Sequence, residues 1–109
     1  MKYCCTVAAK HGSCYQEFKR GRYDGQHWCE DSLLLYDDLI DELDFYKVLI
    51  KVIPTYARWG ITEVNQSVWN QLVQEAEQVG GEIKGVIGEI NDWAQENFKT
   101  ENVFTILGV

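Results

Sequence analysis

Two apolar stripes at helical spacing, followed by an apolar run too short for another helix, constrain this chain more than any other feature. The first stripe is Val68, Trp69, Leu72, Val73, Ala76 and Val79; the second is Ile83, Val86, Ile87, Ile90, Trp93 and Ala94. Recurrence at three, four and seven residues places such side chains on one helical face. Asn65 or Ser67 is suited to cap the first helix, and Gly80-Gly81 ends it. The second helix is expected from 82 to about 97. Gly85 and Gly88 lie inside it at a cost of ~1 kcal/mol each relative to alanine, and close packing against a neighbour would account for both. Residues 99–102 read as a turn. Val103-Phe104-Thr105-Ile106-Leu107 predicts a strand, apolar nearly throughout and therefore a central one covered by helices, with Gly108 and Val109 trailing.

The rest of the chain is less regular. Residues 2–9 favour a strand through their β-branched and aromatic content, ended by His11-Gly12-Ser13. Tyr15 and Phe18 are apolar but not at the spacing of a strand. Gly21 and Asp24-Gly25 mark turns, the second a hairpin signal that would make Trp28 and Cys29 part of a returning strand. Leu33-Leu34-Leu35-Tyr36 reads as a buried strand, 37–42 as an acidic bend. A helix capped by Asp44 is expected from Phe45 to about Ala57, kinked by Pro54 or shortened by it to Val52, with Gly60 as a stop. A chain of 109 residues suits one domain with its own core. The expected fold is α+β: a single small domain with an antiparallel or mixed sheet, about three helices packed on it, and a C-terminal strand.

Charge narrows the choice of partners. The net charge is −7, which argues against nucleic acid and anionic membranes, since phosphates reward clustered Lys and Arg. Its distribution is uneven: residues 1–29 carry five bases and two acids, residues 30–109 five bases and fifteen acids. The stretch 30–46 holds seven acids (Glu30, Asp31, Asp37, Asp38, Asp41, Glu42, Asp44) and no base. Crowded like charge opposes folding unless its members stand apart as a solvated face or a basic partner compensates it. Asp37, Asp38, Asp41, Glu42 and Asp44, with Tyr46 as a possible aromatic anchor, are therefore the candidate partner-binding residues; Tyr and Trp are favoured anchors at interfaces.

Other chemistries are harder to place. Cys4, Cys5, His11, Cys14, His27 and Cys29 all fall in the first 29 residues. His11-x-x-Cys14 and His27-x-Cys29 could each supply a pair of zinc ligands, but the spacing is that of no finger or ribbon. A Cys14 or Cys29 thiolate activated by His11 or His27 is the catalytic alternative. Four carboxylates within 37–42 lack the alternating oxygens and central glycine of a calcium loop. Asn65-Gln66-Ser67 matches a glycosylation sequon but serves equally as a helix cap. No secretory signal or membrane span is visible, so the expectation is cytoplasmic, with reduced thiols and no metal or cofactor. Cys4 and Cys5 would leave opposite faces of a strand.

Trp59-Gly60-Ile61-Thr62-Glu63-Val64, Trp69 in a helix, Gly80-Gly81, Trp93 and the closing Phe104-Thr105-Ile106-Leu107-Gly108-Val109 give the C-terminal half a distinct style. In size, acidity and that style the chain resembles the immunity proteins encoded beside bacterial polymorphic toxins. The resemblance implies a non-enzymatic inhibitor that binds and neutralises a cognate toxin; it assigns no residue a role. A nuclease toxin is basic because its substrate is a polyanion, so an acidic, aromatic face would gain it on-rate and specificity. The alternatives are a small Cys/His metal-binding or thiol enzyme domain, and an adaptor subunit of a larger complex.

Overall fold

The computed structural model describes residues 1–108, and Val109, expected to trail the last strand, lies outside them. Five strands form one antiparallel sheet: β1 (Cys4–Thr6), β2 (Tyr15–Arg20), β3 (Leu33–Tyr36), β4 (Ile61–Asn65) and β5 (Val103–Leu107), in the order β1-β3-β2-β5-β4. Four helices accompany it: α1 (Asp38–Glu42), α2 (Phe45–Val52), α3 (Gln66–Val79) and α4 (Gly81–Phe98). The fold is α+β with a C-terminal strand, as the two stripes and the closing apolar run predict.

Register assigns the sheet its two faces. Phe18 lies opposite Leu33 and Ile106, and Phe104 opposite Val64. Partners across strands point the same way, so Cys4, Leu33, Leu35, Phe18, Ile106, Phe104 and Val64 form one face. That face packs on Ile40, Phe45, Leu49, Trp69, Leu72, Val86, Ile87, Ile90 and Ala94 from the helices. Phe104 is its aromatic centre, with Trp93, Trp69 and Phe98 rings 5.3, 5.5 and 5.6 Å away. Trp69 is fully buried, whereas Trp93 keeps its indole N–H near the surface and donates it to the Asp31 carbonyl at 2.8 Å.

The opposite face is covered by the long connection 21–32. Cys5, Tyr15 and Leu34 cluster there with Val7 and Trp28. Cys4 and Cys5 do leave β1 on opposite faces. Glu17, 1% exposed, is the anchor of this layer. Its carboxylate accepts from the Trp28 N–H at 2.9 Å, the Cys29 N–H at 3.3 Å and the Ser32 hydroxyl at 2.6 Å. Trp28 takes a left-handed conformation (φ 58°) to present that N–H.

Several expectations need correction. The first strand stops at Thr6, because 7–9 turn into a 3-10 helix. The strand returning from β2 begins at Leu33, not at Trp28 and Cys29, since the backbone N–H groups of Trp28 and Cys29 are taken by Glu17. Residues 37–42 are not a bend: Asp38–Glu42 is a short helix that buries Ile40. Asp44 precedes α2 in a left-handed conformation (φ 54°) with no side-chain cap bond. α2 ends at Val52, the shorter of the two expected limits, so Gly60 stops no helix and instead leads into β4, for which no strand was expected. Asn65, not Ser67, caps α3 by accepting from the Val68 N–H at 2.8 Å. Gly85 is closely packed, since a Cβ there would stand 3.0 Å from the Tyr3 ring and press on it, but Gly88 faces open space.

Candidate functional site

The acidic run is divided by the helix it forms. Four residues along a helix return to the same side, so Asp37 and Asp41 share one side and Asp38 and Glu42 the next. The first pair is occupied from within the chain. Arg58 donates to Asp37 Oδ2 at 3.1 Å and to Asp41 Oδ1 at 2.7 Å. This guanidinium holds the exposed Asp41 carboxyl below its ordinary pKa, and the two carboxylates push the Arg58 pKa up in turn, Asp41 most. The second pair lines a separate depression of about 350 Å³ with Lys2, Tyr3, Tyr36 and Glu82. Among the described residues neither Asp38 nor Glu42 is held in an ion pair; Asp44, also exposed, lies 4.0 Å from Lys47.

Beneath Arg58 lies a network that fixes its position. Gln16, 1% exposed in the sheet, accepts from the Tyr56 hydroxyl at 2.7 Å. Its amide donates to Asp37 Oδ1 at 2.8 Å and to the Arg58 carbonyl at 3.0 Å. Burial first, and then the Asp37 charge, push the Tyr56 phenol pKa up, which keeps the hydroxyl a donor. The segment 57–60 is held further by Ala57 N–H to Thr62 Oγ1 at 3.1 Å and by Gly108 N–H to the Gly60 carbonyl at 2.9 Å. Any Cβ at Gly108 would overlap the Arg58 carbonyl. The close approach of the chain end to this loop requires glycine there.

What the network presents is Trp59. The indole is 68% exposed and lies 4.7 Å from the Arg58 guanidinium in cation–π geometry. With Asp41, Tyr46, Tyr56, Ala57, Arg58 and Gly60 it lines an open depression of about 670 Å³. Tyr46, 38% exposed, stands on the rim with its ring 6.0 Å from that of Tyr56. Of the six candidate residues, Asp41 and Tyr46 thus border this depression, Asp37 supports it from below, Asp38 and Glu42 border the other, and Asp44 lies between α1 and α2. Arg58, Trp59 and Gln16 were not among them. An arginine next to a Trp before a Gly is the signal the sequence offers for the first two. Gln16 is uninformative until its burial is known.

The Cys/His set does not assemble. Among the described residues no group of three or more His, Cys, Asp or Glu side chains is placed to hold a metal. Cys4 and Cys5 are buried, and burial, then Glu89, push the Cys4 thiol pKa up. Cys14 is exposed. The His27 ring pairs with the Tyr23 hydroxyl at 2.8 Å rather than with a thiol. Cys29 meets Lys19, its Sγ 2.8 Å from Nζ. No helix of the described residues is long and apolar enough to cross a membrane. No family model, curated protein or solved structure matches the chain.

Proposed function

We propose that the chain is a non-enzymatic protein-binding domain that docks a basic protein partner on the surface carried by α1, the start of α2 and the segment 56–60. The form that its resemblance to immunity proteins implies is inhibition of a basic, nuclease-type toxin by covering its active site. One observation carries the reading: a Trp exposed to 68% on a loop that a buried hydrogen-bond network holds in place. An exposed indole on a mobile loop is unremarkable, but a rigid one forfeits little entropy on binding and is the usual anchor of an interface. The acid pair Asp38 and Glu42, on the neighbouring side of α1, is exposed and, among the described residues, engaged in no ion pair, with Lys2 the one base lining the same depression. Such charge raises the association rate of a basic partner.

The test is affinity capture by the immobilised chain from a lysate of its own source, followed by stopped-flow mixing with the captured protein. A basic protein is expected, whose own activity falls on binding. Asp38→Lys/Glu42→Lys should slow association about tenfold at low salt and flatten its salt dependence. Trp59→Ala should speed dissociation instead. A partner that is acidic, or whose association and dissociation rates match wild type in both variants, refutes the proposal. A captured protein that binds with full activity retained favours the adaptor reading.

A further inference from the structure

Lys19 is an unusual lysine. Its side chain is 6% exposed, and its ammonium lies 2.8 Å from Cys29 Sγ and 3.3 Å from Asp24 Oδ1. The contact follows from the backbone. Glu17 pins the Trp28 and Cys29 N–H groups over β2. Lys19, two residues further on, emerges from the same sheet face. Its ammonium is therefore directly below the Cys29 side chain. An ammonium has no lone pair, so the sulfur is the acceptor. Cys29 is only half-buried, within reach of a small molecule, whereas Cys4 and Cys5 are enclosed.

We propose that Lys19 and Cys29 form an oxidative modification site, at which peroxide joins Nζ to Sγ as a sulfenamide and staples the connection 21–32 to β2. In the first step Sγ attacks a peroxide oxygen. The S–O bond forms, the O–O bond breaks, and the departing hydroxide takes the thiol proton and leaves as water, giving the sulfenic acid. In the second step Nζ displaces the sulfenic hydroxyl. The S–N bond forms and the S–O bond breaks. One ammonium proton leaves with the hydroxyl as water, and one passes by way of Asp24 to solvent. Peroxide is the oxidant and sulfur alone is oxidised, by two electrons. The chemistry also accounts for how a charged lysine becomes a nucleophile. Burial opposes the Lys19 charge, but the contacts with Cys29 and Asp24 outweigh it and hold the pKa above its ordinary value. Asp24, 3.3 Å from Nζ, is placed to take the proton that the ammonium must lose as it attacks.

The reduced chain treated with dilute hydrogen peroxide tests this directly. Its intact mass should fall by that of H2, tryptic cleavage after Lys19 should be lost, and the peptides carrying Lys19 and Cys29 should appear joined. Dithiothreitol should restore both mass and cleavage. Lys19→Arg keeps the positive charge but lacks the primary amine; at unchanged circular dichroism it should stop at the sulfenic or sulfinic acid. Peptide mapping of the wild-type chain decides the matter even if that variant fails to fold. Loss of H2 mapping to a cysteine–cysteine bond overturns the proposal. So does oxidation of Cys29 with cleavage after Lys19 intact.

Discussion

Replacing Arg58 by methionine tests whether the carboxylates of α1 belong to the fold or to a partner. The side chains of Arg58 and Asp37 are 17% and 13% exposed, so their ion pair is largely shielded from water. Removing one partner of a fully buried pair costs about 3–5 kcal/mol, while exposed pairs contribute about 0–1 kcal/mol. Two features pull the value down here. Asp37 retains the Gln16 amide as a donor, and Arg58 Nε is buried without a partner, a penalty that the variant removes. The expected loss is about 2 kcal/mol. At about 4 °C per kcal/mol for a domain of this length, the melting temperature should drop by about 8 °C. A double-mutant cycle with Asp37→Asn, followed by urea denaturation, isolates the pair; a coupling of about 1–2 kcal/mol is expected. A melting temperature within about 2 °C of wild type, or additive single effects, would refute the claim that this pair holds the segment 56–60 in place.

Further outcomes follow from the same geometry. Trp59→Ala should leave urea stability within about 0.5 kcal/mol of wild type, because the indole is mostly solvent-exposed; a larger loss would make Trp59 a structural residue. Gly108→Ala should destabilise by about 1–3 kcal/mol and shift Trp59 fluorescence, since the added methyl must displace the Arg58 carbonyl; an unchanged spectrum with unchanged stability would contradict the close approach. Glu17→Ala should speed hydrogen exchange at the Trp28 and Cys29 amides more than at amides of α4, and uniform acceleration would mean that the connection 21–32 is not a separate layer. The Asp41 carboxyl has a depressed pKa in the folded state, so its contribution to stability is present above its unfolded pKa of about 4 and is lost as pH falls through the lower folded value. An NMR titration should show the Asp41 midpoint rising in Arg58→Met, and an unmoved midpoint would remove Arg58 as the cause.

The fold was most legible where one period and one face dominate. The stripes of α3 and α4 follow a single helical spacing, and β5 is apolar enough that only an interior strand suits it. Leu33–Tyr36 was legible for the same reason. β4 was not, because Ile61–Asn65 is an edge strand with Thr62 and Val64 buried and Ile61 and Glu63 exposed. Five residues of alternation next to a glycine are too few to stand out. β2 was hidden by burial on both faces: Gln16, Glu17 and Lys19 are polar residues in interior positions. Each is there because a tertiary partner satisfies it, and no local pattern announces such partners. The hairpin expected at Asp24-Gly25 failed similarly, since the buried Glu17 captures the backbone that would otherwise have paired.

The candidate surface was half legible, and the missing half is a matter of period. Counted along the sequence, seven acids without a base form one cluster. Asp37, Asp38, Asp41 and Glu42, at the start of and along α1, separate by side, and Arg58 neutralises one side from 17 positions beyond Asp41. The self-repulsion that a run of like charge implies is thus relieved partly inside the chain, not wholly by a partner. Asp41, which the sequence ranks with its neighbours, is consequently a poor probe of binding: a lysine there would face Arg58 and disturb the segment that carries Trp59. Reversal at Asp38 and Glu42 leaves that ion pair intact and alters exposed carboxylates that hold no ion pair among the described residues. The two substitutions look alike in sequence, but only the second separates an interaction surface from a structural one.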